Sequence, residues 1–103
     1  MAIMVLVTIP QNKAASLAKI ILAKRVCACV NIVKGIESFF WWQGKIDSAK
    51  ETLLIIKTKN SLFTKLKKII KTVHPYEVPE IIAFKIDKIN KDYLKWLDKE
   101  AYA

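Results

Sequence analysis

His74 is the only histidine in the chain, and imidazole is the side chain most often recruited to hold a transition metal. Glu77 and Glu80 follow closely and offer oxygen donors, while far upstream stand two thiols, Cys27 and Cys29. Thiolates suit Cu(I) and other soft ions. One histidine and two cysteines cannot complete a four-ligand structural zinc site without carboxylates or a second chain. The chemistry on offer is therefore a weakly bound metal ion, at the surface or shared between chains.

Each of these residues also has a plainer role. His74 precedes Pro75 at the end of a helical pattern, where a ring can cap carbonyls with help from the helix dipole. A free cysteine in a strand usually packs as a small hydrophobe, and that is the favoured reading of Cys29. Cys27 and Cys29 are two apart, so an extended chain would put both on one face, badly placed to bridge each other. Free thiols fit a reducing compartment.

Enzymatic constellations are absent from the pattern. There is no glycine-rich phosphate loop, no GxSxG and no HExxH. A Cys29–His74 nucleophile pair lacks any flanking signature. The expectation is a protein that is not an enzyme.

The elements that must position these residues are marked by shifts in period. Ile3 to Ile9 is a continuous, β-branched run that suits a central strand buried on both faces, and Pro10 ends it. Asn12 is placed to cap a helix with Ala14, Leu17, Ala18, Ile21 and Leu22 on one side. Ala28 to Trp42 reads as extended with a bulge at Gly35, and Gln43-Gly44 as a two-residue turn. Lys45 to Thr58 runs back, which sets Glu37 against Lys50. Asn60 or Ser61 then caps a helix whose stripe is Leu62, Phe63, Leu66, Ile69, Ile70 and Val73. His74-Pro75 stops it. Pro79 opens a last strand through Ile86, and Asn90 caps a final helix with Tyr93, Leu94 and Leu97 inward.

That order, β-α-β-β-α-β plus a C-terminal helix, predicts one α+β domain over residues 1–103. The fold class is the ferredoxin-like split βαβ, an antiparallel sheet covered by helices on one face. Its hairpin strands, about 14 residues each, exceed the usual ~5–6 and would each reach roughly 45 Å. Four aromatics in a row, Phe39 to Trp42, occupy the far part. Left in water they would form the kind of apolar patch that marks an interface, so the arm is expected to lie on a neighbouring copy. The competing arrangement bends the arm at Gly35 onto its own core.

Composition narrows the partners. The net charge is +9, yet Arg25 is the only arginine among 18 basic residues. Lysine spread along a chain reads as a solvated surface, whereas sequence-specific nucleic-acid readers lean on arginine. Nucleic acid is not an expected partner. Nor is a membrane: no apolar run approaches ~18 residues, and the apolar start has no basic segment or cleavage site before it. The chain is expected in the cytoplasm.

Five segments carry a resemblance to a known family. They are Ala28-Cys29-Val30-Asn31-Ile32, Trp42-x-Gly44-Lys45-Ile46, Glu51 to Thr58, His74-Pro75-Tyr76-Glu77-Val78-Pro79-Glu80-Ile81 and Tyr93-Leu94-x-Trp96-Leu97. In this order and spacing the chain resembles the CutA family of divalent-cation tolerance proteins. The resemblance implies a homotrimer, with hairpins wrapping adjacent subunits much as in the PII signalling proteins. It also implies copper or heavy-metal binding in a response to metal ions, and it selects Cys29, with His74, Glu77 and Glu80, as the metal-ligand candidates. The family pattern has a further cysteine in the first strand, where this chain has Val5-Leu6-Val7-Thr8. An alternative implication is a PII-like regulatory trimer with a small ligand between subunits, metal binding being incidental. Trp42, Glu51, Lys57 and Tyr76 would line that cleft.

Overall fold

The computed structural model describes residues 1–103. Its elements are β1 (Ala2–Ile9), α1 (Gln11–Ala23), β2 (Cys29–Trp42), β3 (Lys45–Lys59), α2 (Phe63–Val73), β4 (Ile81–Lys85) and α3 (Lys91–Glu100), with a 3-10 turn at Asn60–Leu62. The strands make one sheet in the order β2-β3-β1-β4, antiparallel at each pairing. The expected β-α-β-β-α-β order is therefore present in an α+β chain with a four-stranded antiparallel sheet.

Strand alternation decides where the core sits. Ile3, Val5, Val7 and Ile9 of β1 pair with Thr58, Ile56, Leu54 and Thr52 of β3, and all eight are buried. They meet Ala14, Leu17 and Ile21 of α1 and Leu66 and Ile70 of α2. The opposite face is different. Met4 and Leu6, opposite Lys57 and Ile55, are only half-buried, and Val33, Ile82 and Phe84 on the same face are exposed. The expectation that β1 is buried on both faces thus holds for one face of a single chain. No helix covers the other beyond the end where α3 brings Leu97 against Ala2.

The hairpin is long, 14 residues in β2 and 15 in β3, in a molecule of extents 45 × 26 × 22 Å. Gln43 and Gly44 both have positive φ, 51° and 78°, as a two-residue hairpin turn requires. The pairing shifts by one residue between Val33 and Ile36, a bulge made possible by Gly35 at φ 77°. Glu37 does oppose Lys50. The arm does not fold back at Gly35: Phe39 is 69% exposed and Trp41 72%.

Several local expectations are corrected. Asn12 does not cap α1, because it is already the second residue of the helix; Pro10 holds the N-cap position, extended at φ −58° and ψ 142°, and has no side-chain acceptor to offer. Neither Asn60 nor Ser61 caps α2; they form the 3-10 turn, with Asn60 N–H bonded to the Met1 carbonyl at 2.8 Å. The last strand is Ile81–Lys85, shorter than Pro79–Ile86. Cys27 and Cys29 do not share a face: Cys27 lies before β2 and turns into the core, whereas Cys29 sits opposite Lys57 on the half-open face. Asn90 behaves as expected, its side chain accepting from Asp92 N–H at 2.9 Å.

Candidate functional site

Pro75 ends α2 and leaves His74 in an extended conformation, φ −72° and ψ 133°. This turns the imidazole away from the helix carbonyls and toward the end of β1. Its Nε2 lies 2.8 Å from the Thr8 carbonyl oxygen, and its Nδ1 accepts from Tyr76 N–H at 3.1 Å. A carbonyl only accepts, so Nε2 carries the proton and the ring is the neutral tautomer. His74 is 8% exposed and both nitrogens are occupied. The ring caps a strand carbonyl rather than a helix carbonyl.

Tyr76 continues the chain of contacts. Its ring packs 4.8 Å from that of His74, and its hydroxyl donates to Glu51 Oε2 at 2.8 Å. Burial, the hydrogen bond to Glu51 and the Glu51 charge together push the phenol up to about 12. Glu51 is 6% exposed although it carries a carboxylate. The single ion pair of the molecule, Arg25 to Glu100 at 3.4 Å, is elsewhere, so Glu51 makes none. Glu51 follows the bulge in register, opposite Ile36, and lines a shallow depression of about 340 Å³ with Gln11, Gly35, Glu37 and Lys50.

A second cluster lies at the other end of the sheet. Lys57 Nζ donates to Asn31 Oδ1, and the Cys29 thiol stands 3.8 Å from the same oxygen. Burial first, then the neighbouring Cys29, raise the pKa of the Tyr93 hydroxyl. Burial and Cys29 likewise push the Cys27 thiol up to about 12.

The sequence candidates therefore fall into separate places. Cys29 registers through Lys57 with Met4, and His74 touches Thr8, four residues along β1 or about 13 Å away. Glu77 and Glu80 are exposed on the segment between α2 and β4. Within one chain no three His, Cys, Asp or Glu side chains converge on a point that could hold a metal ion. Of the cleft candidates, Glu51 and Tyr76 meet, Lys57 joins Cys29, and Trp42 borders another depression at the hairpin tip with Gln43 and Asp47. Asn31, Gln11 and the Thr8 carbonyl were missed. Asn31 lies inside a segment already singled out, but nothing in a sequence shows that a backbone carbonyl will be a histidine's partner.

A four-stranded antiparallel sheet with three helices and a protruding aromatic hairpin defines a small α+β domain. Residues 3–100 match the family model described as CutA1 divalent ion tolerance protein, and the chain belongs to that family. It is 46% identical to the divalent-cation tolerance protein CutA of Thermus thermophilus, over 90% of this chain and 91% of that one. The solved Thermus structure superposes with a TM-score of 0.96, covering 99% of this chain and 100% of that chain. It is also 48% identical to the chloroplastic protein CutA 1 of rice, over 93% of this chain. The chain spans about half the length of that relative, 55%. No helix is long and apolar enough to cross a membrane.

Proposed function

We propose that the chain acts in the cytoplasm as a non-enzymatic, trimeric divalent-cation tolerance protein. It binds copper or a related heavy metal at sites completed between subunits, as part of a response to metal ions. The observation that carries this reading is the separation of the candidate ligands. His74, Cys29, Glu77 and Glu80 supply imidazole, thiol and carboxylate, yet a single chain gathers no three of them. Glu77 and Glu80 are exposed and Cys29 lies on the half-open face, where a second copy would bring further donors. Binding at His74 would compete with Tyr76 N–H for Nδ1, which fits weak affinity. The names of the Thermus and rice relatives support the metal-linked role.

The test is native mass spectrometry with and without one equivalent of Cu2+ per subunit, on the native chain, His74→Ala and Cys29→Ala. Stoichiometric copper on a trimer, lost in His74→Ala, is the expected result. A trimer indifferent to copper overturns the metal reading.

One observation favours a second reading, a PII-like trimer with a small regulatory ligand between subunits. Glu51 is a buried carboxylate held by Tyr76 alone beside an open depression, and such a group favours a cationic or hydrogen-bond-donating neighbour. Trp42 and Lys57 would then belong to the same cleft through adjacent subunits. This reading expects thermal stabilisation by a metabolite that survives His74→Ala.

A further inference from the structure

Lysines that look evenly spread along the sequence are sorted by the fold. The two helices that cover the core touch each other on one side of the sheet. Between Gln11 and Lys24 the acidic residues number none and the lysines are Lys13, Lys19 and Lys24. Between Asn60 and Val73 there is again no acid, and the lysines are Lys65, Lys67, Lys68 and Lys71. The nine acidic residues lie on the hairpin, in the segments flanking β4, and on or beside α3.

The helix stripes explain the sorting. Ala14, Leu17, Ala18 and Ile21 face the sheet from α1, as do Leu66 and Ile70 from α2, so the lysines between them must face outward. All are exposed except Lys67, which is half-buried over the Phe63 ring at 5.7 Å. None forms an ion pair, since the only one in the molecule joins Arg25 to Glu100. Lys65 reaches the Ala103 carbonyl at 3.1 Å, which leaves six lysines on this face without a hydrogen-bonded partner.

We propose that this acid-free lysine face of α1 and α2 is a docking surface for the phosphodiester backbone of duplex nucleic acid, bound without sequence preference. Charge complementarity points to a polyanion. Among the residues between the lysines, Gln11, Asn12, Ser61 and Thr64 are hydrogen-bonding types that contact phosphate oxygens, while the Ser16 and Thr72 hydroxyls donate to the Lys13 and Ile69 carbonyls of their own helices. The absence of arginine from both helices removes the usual bidentate reader of guanine, so contacts are to backbone rather than bases. A protein partner fits less well, because interface centres are depleted in lysine and enriched in aromatics. The strongly exposed aromatics lie on the hairpin, β4 and the C-terminal segment, and the helical face shows only Leu22 and Val73. That lack of apolar anchors also argues against an anionic membrane.

The test is fluorescence anisotropy with a labelled 20-base-pair DNA of arbitrary sequence, and the same sequence as duplex RNA, between 50 and 200 mM salt (~20 base pairs exceeds the footprint of a small domain). Lys19→Gln/Lys67→Gln/Lys68→Gln/Lys71→Gln removes four charges from the face. Lys88→Gln/Lys91→Gln/Lys95→Gln/Lys99→Gln removes four elsewhere and serves as the control. Circular dichroism melts verify that both variants fold. The native chain is expected to bind with a steep salt slope, which the face variant reduces by about 3 to 4 on a log–log plot, roughly 0.9 per lost phosphate contact. The control is expected to keep most of the slope. Equal losses in the two variants overturn the proposal, because net charge alone would then account for binding. Failure to bind either duplex at 50 mM salt overturns it as well. So does binding to vesicles containing phosphatidylserine with none to nucleic acid, which would transfer the face to membranes.

Discussion

The two halves of β3 are one strand in two environments. From Thr52 to Thr58 every second residue is buried against α1 and α2, with Leu54 and Ile56 fully inaccessible. From Lys45 to Ser48 every residue is exposed, and the strand touches only β2. The division falls where β1 ends, because the pairing of β1 with β3 stops at Ile9 and Thr52. Beyond that point the ribbon has two strands and no helix. An isolated two-stranded ribbon is marginally stable in water, and the single chain leaves Phe39, Trp41 and Ile46 on this one exposed. The inner half is held by its own core, whereas within the chain the outer half has only its partner strand.

The largest predicted effect breaks the inner half. Leu54→Ala removes a side chain fully buried between β1, α1 and α2, and is expected to destabilise the fold by about 2–5 kcal/mol. Ile46→Ala at the tip, made as its pair, changes an exposed residue and should leave the intrinsic stability of the chain within about 0.5 kcal/mol. Guanidinium unfolding of both variants at a concentration where the protein is monomeric reads the difference. Similar losses would mean that the arm packs on its own core.

The next test acts on the outer half alone. Trp41→Glu places a charge on the most exposed aromatic of the arm. Buried tryptophans at interface centres often contribute about 2 kcal/mol or more, a roughly 30-fold change in dissociation constant. Sedimentation should show the proposed trimer falling to the 11.8 kDa chain with its circular dichroism unchanged. An unaltered mass would remove the arm from the interface.

Between the two halves sits the Glu51–Tyr76 contact, just past the end of β1. Tyr76→Phe deletes a hydrogen bond to a buried carboxylate, worth about 1.5–3 kcal/mol when the acceptor is charged. The pH dependence has a definite sign. Folding raises the Tyr76 pKa from 10.0 to about 12. Its contribution is therefore fully present below pH 10, where both states hold the proton, and is lost as pH rises toward 12. Cys27, raised from 9.0 to about 12, adds loss of the same sign from a lower onset. Denaturation between pH 8 and 11 should show falling stability above pH 9. Cys27→Ala is expected to remove the early part of that fall and Tyr76→Phe the later part.

How much of this was legible follows from the range of each interaction. The continuous apolar run of β1, the Gln43-Gly44 pair and the stripes of α1 and α2 are local patterns, and they placed the strands, the helices and the hairpin turn correctly. The arm was legible from Phe39 to Trp42 and from strand length. Helix starts were less so, because Asn12, Asn60 and Ser61 are all capable caps, and the choice was made by Pro10 and by the bond from Asn60 N–H to Met1. The candidate site was legible in residue type but not in grouping. His74 joins Thr8 and Tyr76 joins Glu51 across gaps of 66 and 25 residues, and no short-range pattern encodes such pairings. The buried face of β1 was legible; its half-open face read as buried because a continuous apolar run does not say which of its two faces a helix will cover.

The smallest predicted effect concerns the one end of the half-open face that the chain does cover. Asn90 starts α3 by accepting from Asp92 N–H, and α3 brings Tyr93 beside Cys29 and Leu97 against Ala2. Removing a cap of this kind costs about 1 kcal/mol, close to a fivefold change in the fraction of time the helix is frayed. Asn90→Ala should therefore speed labelling of Cys29 by a thiol reagent by up to about fivefold. Cys27, buried in the core behind β1, should remain unlabelled until global unfolding. The two thiols then report on the two faces of the same sheet within one molecule. Equal acceleration at both would mean that α3 supports the core as a whole rather than screening one face.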